Sequence, residues 1–236
     1  MRRAVLIFLA LAMLLCLAGC KGKDEPAMPS QRPDMEVLKK AKVGSYILFG
    51  EYEQDNDDAN GKEAVEWLVL DKQDDKMLVI SRYGLDASSY NSEFVSTTWE
   101  TCSLREWLND TFYENTFIPE EKSVIIASTV TADKNPDYGT TAGNDTIDKV
   151  FLLSIDEARR YFTDDDARAC KGTPFCYACQ AQEAENGNCY WWLRSPGSDS
   201  SSAADVDDSG SVVSGGYFVI NFRHAVRPAM WLNLTP

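Results

Sequence analysis

Short β-prone segments lie at both ends of the region that follows residue 42, and two amphipathic helical patterns lie between them. Runs of Val, Ile, Leu and aromatic residues favour strands, and such runs open the region at 45–50, 65–70 and 77–81. Similar runs return near its end at 189–194, 204–206, 217–222 and 226–234. Strands at both ends with helices between them predict an α+β fold with a mainly antiparallel sheet.

The two main helices are predicted from a capping residue followed by apolar residues at helical spacing. The first begins at Ser103 and ends near residue 113, with its apolar positions at Leu104, Trp107, Leu108 and Phe112. The second begins at Ser154, because Glu157 three residues later completes a capping box. We expect the apolar face of each helix to pack against the sheet.

The amino terminus has the pattern of a lipoprotein signal. Met1-Arg2-Arg3 precedes an apolar run of fifteen residues, 4–18, which is shorter than the roughly 20 residues of a membrane-spanning helix. The run ends in Leu17-Ala18-Gly19-Cys20, which looks like a bacterial lipobox. We therefore predict a signal peptide over 1–19, lipidation of Cys20, a flexible Pro-containing tether over 20–42 and one globular domain over 43–236. An ordinary secretory signal is the alternative.

Charge restricts the function classes. The chain of 236 residues has 23 Lys and Arg against 37 Asp and Glu, a formal net charge of −14, which repels phosphate, so nucleic acid is not an expected partner. His224 is the only histidine, so any Ser-His-Asp or Cys-His machinery would depend on it. We expect His224 to be a surface or edge residue.

Six segments together resemble domain-of-unknown-function family 6273: YILFG from residue 46, EWLVLD from 66, TWETCSLREWLN from 98, DKVFLLS from 148, WWLRSPG from 191 and VRPAMWL from 226. The resemblance implies a domain of bacterial secreted and lipid-anchored proteins, without an assigned activity. The closing segments are more loosely similar to the C-type-lectin-like fold of formylglycine-generating-enzyme-type domains. That likeness implies a lectin-like α+β architecture.

Candidate ligand contacts come from the most patterned segments. Arg194 and Arg227 each stand between apolar residues, where a guanidinium either holds structural carbonyls and carboxylates or clamps a ligand carboxylate or a sugar hydroxyl pair. Trp192 and Trp231 are candidates for stacking on sugar rings. Strand alternation predicts that one of Trp191 and Trp192 faces outward. An exposed aromatic side chain near 195–202 would support a binding surface.

The cysteines have two interpretations. Cys170, Cys176, Cys179 and Cys189 fall within twenty residues, and in an exported protein they are disulfide candidates with the pairing left open. A four-thiolate zinc site is the alternative. Cys102 is predicted to be buried and unpaired. No metal or cofactor is assigned. The segment 205–210 matches only the first half of a calcium loop, and we predict a hairpin turn at 207–210. Calcium held by separate acidic loops stays an open alternative.

The sequence as a whole predicts a non-catalytic binding domain, lipid-anchored to a bacterial membrane and facing outward, whose ligand is a carbohydrate or a protein. Two alternatives belong to other classes. One is an enzyme that acts on cell-wall or host glycans through a pair of carboxylates, of which one has a raised pKa. The other is a structural envelope protein without a concave site.

Overall fold

The computed structural model describes residues 34–235, and two five-stranded sheets organise them. The helices are α1 (Met35–Lys40), α2 (Ser103–Trp107), α3 (Tyr113–Thr116), α4 (Pro119–Lys122), α5 (Ile155–Tyr161), α6 (Asp165–Arg168) and α7 (Pro174–Ala178). The strands are β1 (Tyr46–Tyr52), β2 (Glu63–Lys72), β3 (Lys76–Ser81), β4 (Asp86–Ala87), β5 (Ile125–Ile126), β6 (Ser128–Val130), β7 (Thr146–Asp148), β8 (Trp191–Pro196), β9 (Ser202–Val206), β10 (Val212–Phe218), β11 (Ala225–Val226) and β12 (Ala229–Asn233).

The first sheet joins the two ends of the domain. Its order is β1-β2-β3-β12-β5, and every pair in it is antiparallel. Apolar residues alternate along β2, so Val65, Trp67 and Val69 are all buried, as period-two patterning requires. The indole N–H of Trp67 donates to the Phe49 carbonyl at 2.6 Å. In this sheet β12, the last strand of the chain, pairs with β3 and so joins the sheet that β1, β2 and β3 begin.

The second sheet has the order β10-β9-β8-β11-β4 and contains one parallel pair, β8 with β11. Strand β8 is buried along its whole length because it lies in the middle of the sheet with side chains packed on both faces. A separate hairpin-like pair joins β6 to β7. The predicted α+β class with mainly antiparallel sheets is confirmed, while the lectin-like likeness stays a prediction.

Both predicted helices form, with one change in capping. Helix α2 is capped by Cys102, whose Sγ accepts from the Arg105 N–H, and not by Ser103. A 3-10 turn (Trp99–Thr101) precedes it, and a π-helical turn (Leu108–Phe112) continues it into α3. Helix α5 has the expected capping box between Ser154 and Glu157.

Helix α1 extends the folded region toward the amino terminus. It lies inside the predicted tether 20–42, yet Leu38 is buried in the core, and the Lys72 ammonium donates to the Ala41 carbonyl at 2.7 Å. Helix α1 is therefore packed on the folded region, although it lies in the segment that the sequence assigned to the tether. The predicted signal peptide and Cys20 lie outside the described residues. Among residues 34–235, no helix combines the length and the apolar character needed to cross a membrane.

Candidate functional site

Arg194 is held by the domain itself. Its guanidinium is 4% exposed and forms an ion pair with Glu157 through both Nη1 and Nη2. Nη1 also donates to the Leu152 carbonyl at 2.9 Å. The capping box of α5 fixes Glu157, since its carboxylate accepts from the Ser154 N–H at 2.9 Å. The sequence left two roles open for Arg194, a structural one and ligand binding. The contacts favour the structural role, because the guanidinium is already paired within the domain.

Arg227 is buried without a carboxylate partner among the described residues. Its Nε donates to the Ser81 carbonyl at 3.0 Å and its Nη1 to the Arg168 carbonyl at 3.1 Å. The guanidinium carbon lies 4.9 Å from the Trp191 ring centre and 5.2 Å from that of Phe162. Two carbonyls and two aromatic faces thus compensate the buried charge. Arg227 nevertheless borders a surface cleft.

Trp192 belongs to the core, and it stacks on the residue expected at the surface. Its ring centre is 4.1 Å from that of His224, at an interplanar angle of 17°. His224 is 4% exposed, and its Nε2 lies 3.0 Å from Asp205 Oδ2. The surface prediction for His224 is wrong because this aromatic and carboxylate pair draws the ring inward. Burial raises the pKa of Asp205, although the hydrogen bond from His224 opposes that rise.

The other two tryptophans also pack within the domain. Trp191 is fully buried, so the prediction that one of Trp191 and Trp192 faces outward is wrong. Alternation fails there because both faces of β8 are covered. Trp231 is half-buried on β12, and the Lys76 ammonium lies 4.6 Å from its ring centre. A cation already occupies that face of Trp231.

Six exposed apolar side chains lie on β10, on the loop that follows it and on the loop at 94–95, a set that the sequence did not single out. We define the aromatic surface as Phe94, Val95, Tyr217, Phe218, Ile220 and Phe222, which are each 43–56% exposed. The rings of Phe94 and Phe218 meet edge to face, with centres 5.4 Å apart. Tyr217 lies beside Phe218, 6.0 Å between centres, and covers the His224 ring at 5.6 Å.

Backbone hydrogen bonds hold the aromatic surface in place. Val219, buried between its exposed neighbours, donates to the Ser201 carbonyl at 2.9 Å and accepts from the Asn91 N–H at 2.8 Å. Phe218 pairs with Ser202 across β10 and β9. Exposed aromatic rings therefore lie next to 195–202, where the sequence required them for a binding surface. The sequence signal for this surface is the pair of aromatic residues at the end of β10. Strand β10 is an edge strand, and an edge strand leaves much of its length uncovered, so these side chains stay exposed.

A polar cleft of about 640 Å³ forms a second surface feature. Its walls carry cationic, acidic and amide groups together with two tyrosines, and they are formed by Tyr46, Leu68, Arg82, Tyr83, Asp166, Ala167, Ala169, Lys171, Asn186, Asn188, Asp208, Ser209 and Arg227. Arg82 lies between the two tyrosine rings, 4.7 and 5.1 Å from their centres. The amides of Asn186 and Asn188 donate to Asp208. Much of the polar lining is thus bonded within the protein.

The carboxyl groups with raised pKa values lie elsewhere. Burial raises the pKa of Glu121, against the hydrogen bonds that its carboxylate accepts from the Gly50 and Ile118 N–H groups. Neither Glu121 nor Asp205 lines the cleft. Glu121 serves instead to connect α4 with β1.

One cluster of acidic side chains forms in the Asp-rich loop that follows β1, where calcium binding was an open alternative. Carboxylates of Glu53, Asp55 and Glu63 converge within 4.8 Å, the only such group of three among residues 34–235. Glu63 Oε2 already accepts from the Gln54 N–H at 2.7 Å. These oxygens act as local caps for the loop. The predicted hairpin turn at 207–210 also forms, with the Gly210 N–H donating to the Asp207 carbonyl at 3.0 Å.

The five cysteines among the described residues are free thiols, and Cys102 is buried as predicted. Cys170 and Cys189 face each other across an isolated antiparallel bridge. Cys176 lies in the middle of α7 and donates to the Asp86 carbonyl at 3.1 Å, and Cys179 follows the last residue of that helix. The thiols do not converge as the four-thiolate zinc alternative requires, since the acidic cluster is the only ligand group found over 34–235.

The fold and these surfaces define an α+β domain that carries an exposed aromatic surface and a polar cleft. The chain belongs to the family described as Domain of unknown function (DUF6273), whose sequence profile matches residues 74–234. The matched region contains the whole aromatic surface. No curated protein and no solved structure matches the chain.

Proposed function

We propose that the chain is an exported, lipid-anchored binding protein that captures a partner protein through the aromatic surface. One observation carries the proposal: four large apolar side chains on the edge strand β10 and the loop after it stand about half exposed, and the equally exposed Phe94 packs against Phe218 among them. Soluble monomeric domains rarely expose contiguous apolar area of this kind unless it is an interaction site. Aromatic residues at the centre of such a patch are the type that contributes most to protein interfaces.

A protein fits the aromatic surface better than a sugar. Phe94, Val95, Phe218, Ile220 and Phe222 offer no side-chain hydrogen-bonding group, whereas a saccharide needs partners for its hydroxyls as well as a ring to stack on. The tryptophans that suggested stacking on sugars are engaged within the domain. An apolar segment of a partner protein would instead cover these rings and exclude water from them.

Site-specific photo-crosslinking tests the proposal in the cells that produce the protein. A photoreactive phenylalanine analogue at position 218 should give a discrete adduct with a second protein, and Phe94→Ser should abolish it, since the two rings touch. The control places the same analogue at Ile147, the exposed apolar residue of β7, which is 70% exposed. Identical adduct patterns at 218 and 147, or no protein adduct at 218, would contradict the proposal. An adduct of twice the chain mass would identify a second copy as the partner.

The predicted anchor is tested separately. Cys20→Ser should move the protein from the membrane fraction to the soluble fraction, because the lipid is attached to that thiol. Retention of the variant in the membrane would instead mean that another part of the chain holds it there.

The cleft supports a second candidate, binding of a polar ligand such as a saccharide. It combines Tyr46 and Tyr83 with cationic Lys171 and the edge of Arg227. Two carboxylates, Asp166 and Asp208, also line it, so the glycan-hydrolase alternative would act here. A glycan or wall fragment bound only by the folded state must raise the melting temperature. A rise seen with the native protein and lost with Lys171→Met, but kept with Phe218→Ser, would favour the cleft over the aromatic surface.

A further inference from the structure

Cys170 and Cys189 are placed as direct cross-strand neighbours. They face each other in an isolated antiparallel bridge, and the Cys189 N–H donates to the Cys170 carbonyl at 2.8 Å. Opposite residues of antiparallel strands have Cα atoms roughly 4.5–5.5 Å apart. That separation lies inside the range of about 4.4–6.8 Å that a disulfide spans. The pairing therefore places the two Cα atoms at a separation that a disulfide can span.

The Cys189 thiol lies against Cys170, since its Sγ donates to the Cys170 carbonyl at 3.4 Å. Burial raises the pKa of Cys170, but the hydrogen bond from Cys189 and the nearby Arg227 charge outweigh that and lower it below the ordinary value. The pKa of Cys189 is raised, first by the same hydrogen bond and then by burial. Cys170 is thus the more acidic thiol of the pair, and Cys189 holds its proton more tightly.

We propose that Cys170 and Cys189 form a disulfide when the chain folds in an oxidising compartment. The oxidant is a disulfide, either of a small thiol compound or of a protein. Both cysteines are buried in the folded domain, so this exchange takes place while the chain folds. The Cys170 thiolate attacks the donor disulfide and releases one thiolate, which takes up a proton, and a mixed disulfide results. The Cys189 thiol then loses its proton and attacks Cys170 Sγ, which releases the second donor thiol. Two protein thiols are oxidised, and one donor disulfide is reduced to two thiols.

The other pairings fit the structure less well. The Cys176 thiol donates to the Asp86 carbonyl, and burial raises its pKa. Cys179 is at the carboxyl end of the same short helix, and its thiol interacts with the Asp86 carboxylate. A Cβ added to Gly84 would lie 3.5 Å from Cys176 Sγ and 3.4 Å from Cys189 Sγ, so Cys176 is the competing partner. Neither Cys176 nor Cys179 faces another cysteine across a backbone bridge.

The bond would close a loop with eighteen residues, 171–188, between its ends. This segment contains α7 and the cleft residues Asn186 and Asn188. Because a cross-link of this size restricts the unfolded chain, the oxidised protein should melt about 5–10 °C above the reduced protein. The disulfide would then hold one wall of the cleft to the second sheet.

Peptide mapping of the unmutated full chain tests the pairing. The protein is folded in a mixture of reduced and oxidised glutathione, its remaining thiols are alkylated, and it is digested without reduction. Trypsin leaves Cys176, Cys179 and Cys189 on one peptide, 172–194, so a second cleavage after Glu183 and Glu185 is needed to separate Cys189 from the other two. We expect the Cys170 peptide to be linked to the Cys189 peptide.

Matched variants supply the second measurement. Cys179→Ser should keep the fall in melting temperature on reduction, whereas Cys189→Ser should lose it and melt like the reduced native protein. A bond from Cys170 to Cys176 or Cys179 would overturn the proposal. So would four alkylated thiols at these positions after oxidative folding. Neither result would bear on the aromatic surface, which contains no cysteine.

Discussion

Replacing Glu157 with alanine is expected to lower the free energy of unfolding by about 4 kcal/mol. Glu157 is 29% exposed and is the carboxylate partner of Arg194, whose side chain is only 4% exposed. Removing the partner of a buried charge costs roughly 3–5 kcal/mol, because that charge then stays buried and unpaired. In the variant, Arg194 keeps its hydrogen bond to the Leu152 carbonyl. We therefore expect a cost near the lower end of that range, about 3 kcal/mol. Loss of the capping bond to the Ser154 N–H adds about 1 kcal/mol.

Urea denaturation measures this effect. With a slope of about 3 kcal/mol per molar urea, the midpoint of Glu157→Ala should fall by roughly 1.3 M. Glu66→Ala is the matched control, since the ion pair of Glu66 with Arg82 is 37% and 40% exposed and an exposed pair contributes only about 0.2–1 kcal/mol. Equal midpoint shifts in the two variants would refute the structural role assigned to Arg194 and return it to the ligand candidates.

Three further predictions concern packing, backbone and pH. Leu108→Ala should cost about 2–5 kcal/mol, more than Trp107→Ala, because Leu108 is fully buried and Trp107 only half-buried; calorimetry decides the order. Gly210→Ala should destabilise far more than Gly61→Ala, since both have positive φ but a Cβ at 210 would lie 1.8 Å from a backbone oxygen while 61 faces open space; equal urea midpoints would contradict this. Burial raises the pKa of Asp205, so its stabilising contribution is fully present below the ordinary pKa of about 4 and is lost as the pH rises through the raised value. Asp205→Asn should therefore become more stable relative to the native protein as the pH rises above about 4, which the difference between the two urea midpoints measures.

The fold class could be predicted because its signals are local. The capping box at Ser154 and Glu157 is a four-residue pattern, and it forms as expected. Strand alternation in β2 is equally local. The entry of β12 beside β3 depends on contacts more than a hundred residues apart, for which a single sequence carries no periodic signal. The π-helical turn that follows α2 was likewise not predictable from spacing.

The candidate site was harder to predict, because exposure is a property of the assembled sheet. Trp192 and Phe218 both lie in apolar strand runs, yet one is fully buried and the other about half exposed. The difference is strand position: β8 is central, and β10 is an edge. His224 was expected at the surface and is buried instead. Its burial depends on contacts with Asp205 and Trp192, and no local sequence pattern connects either of them to it.

The rigidity of the aromatic surface bears on how it would bind. Val219 is buried between exposed neighbours and anchored by backbone bonds on both sides, so the backbone that carries Phe218 and Tyr217 is held in place before any partner arrives. Tyr217 also covers His224, whose ring is fixed by Trp192 and Asp205. A preorganised surface loses less conformational entropy on association than a flexible loop. Most of the hydrophobic free energy gained by covering these rings would then contribute to the affinity for the partner.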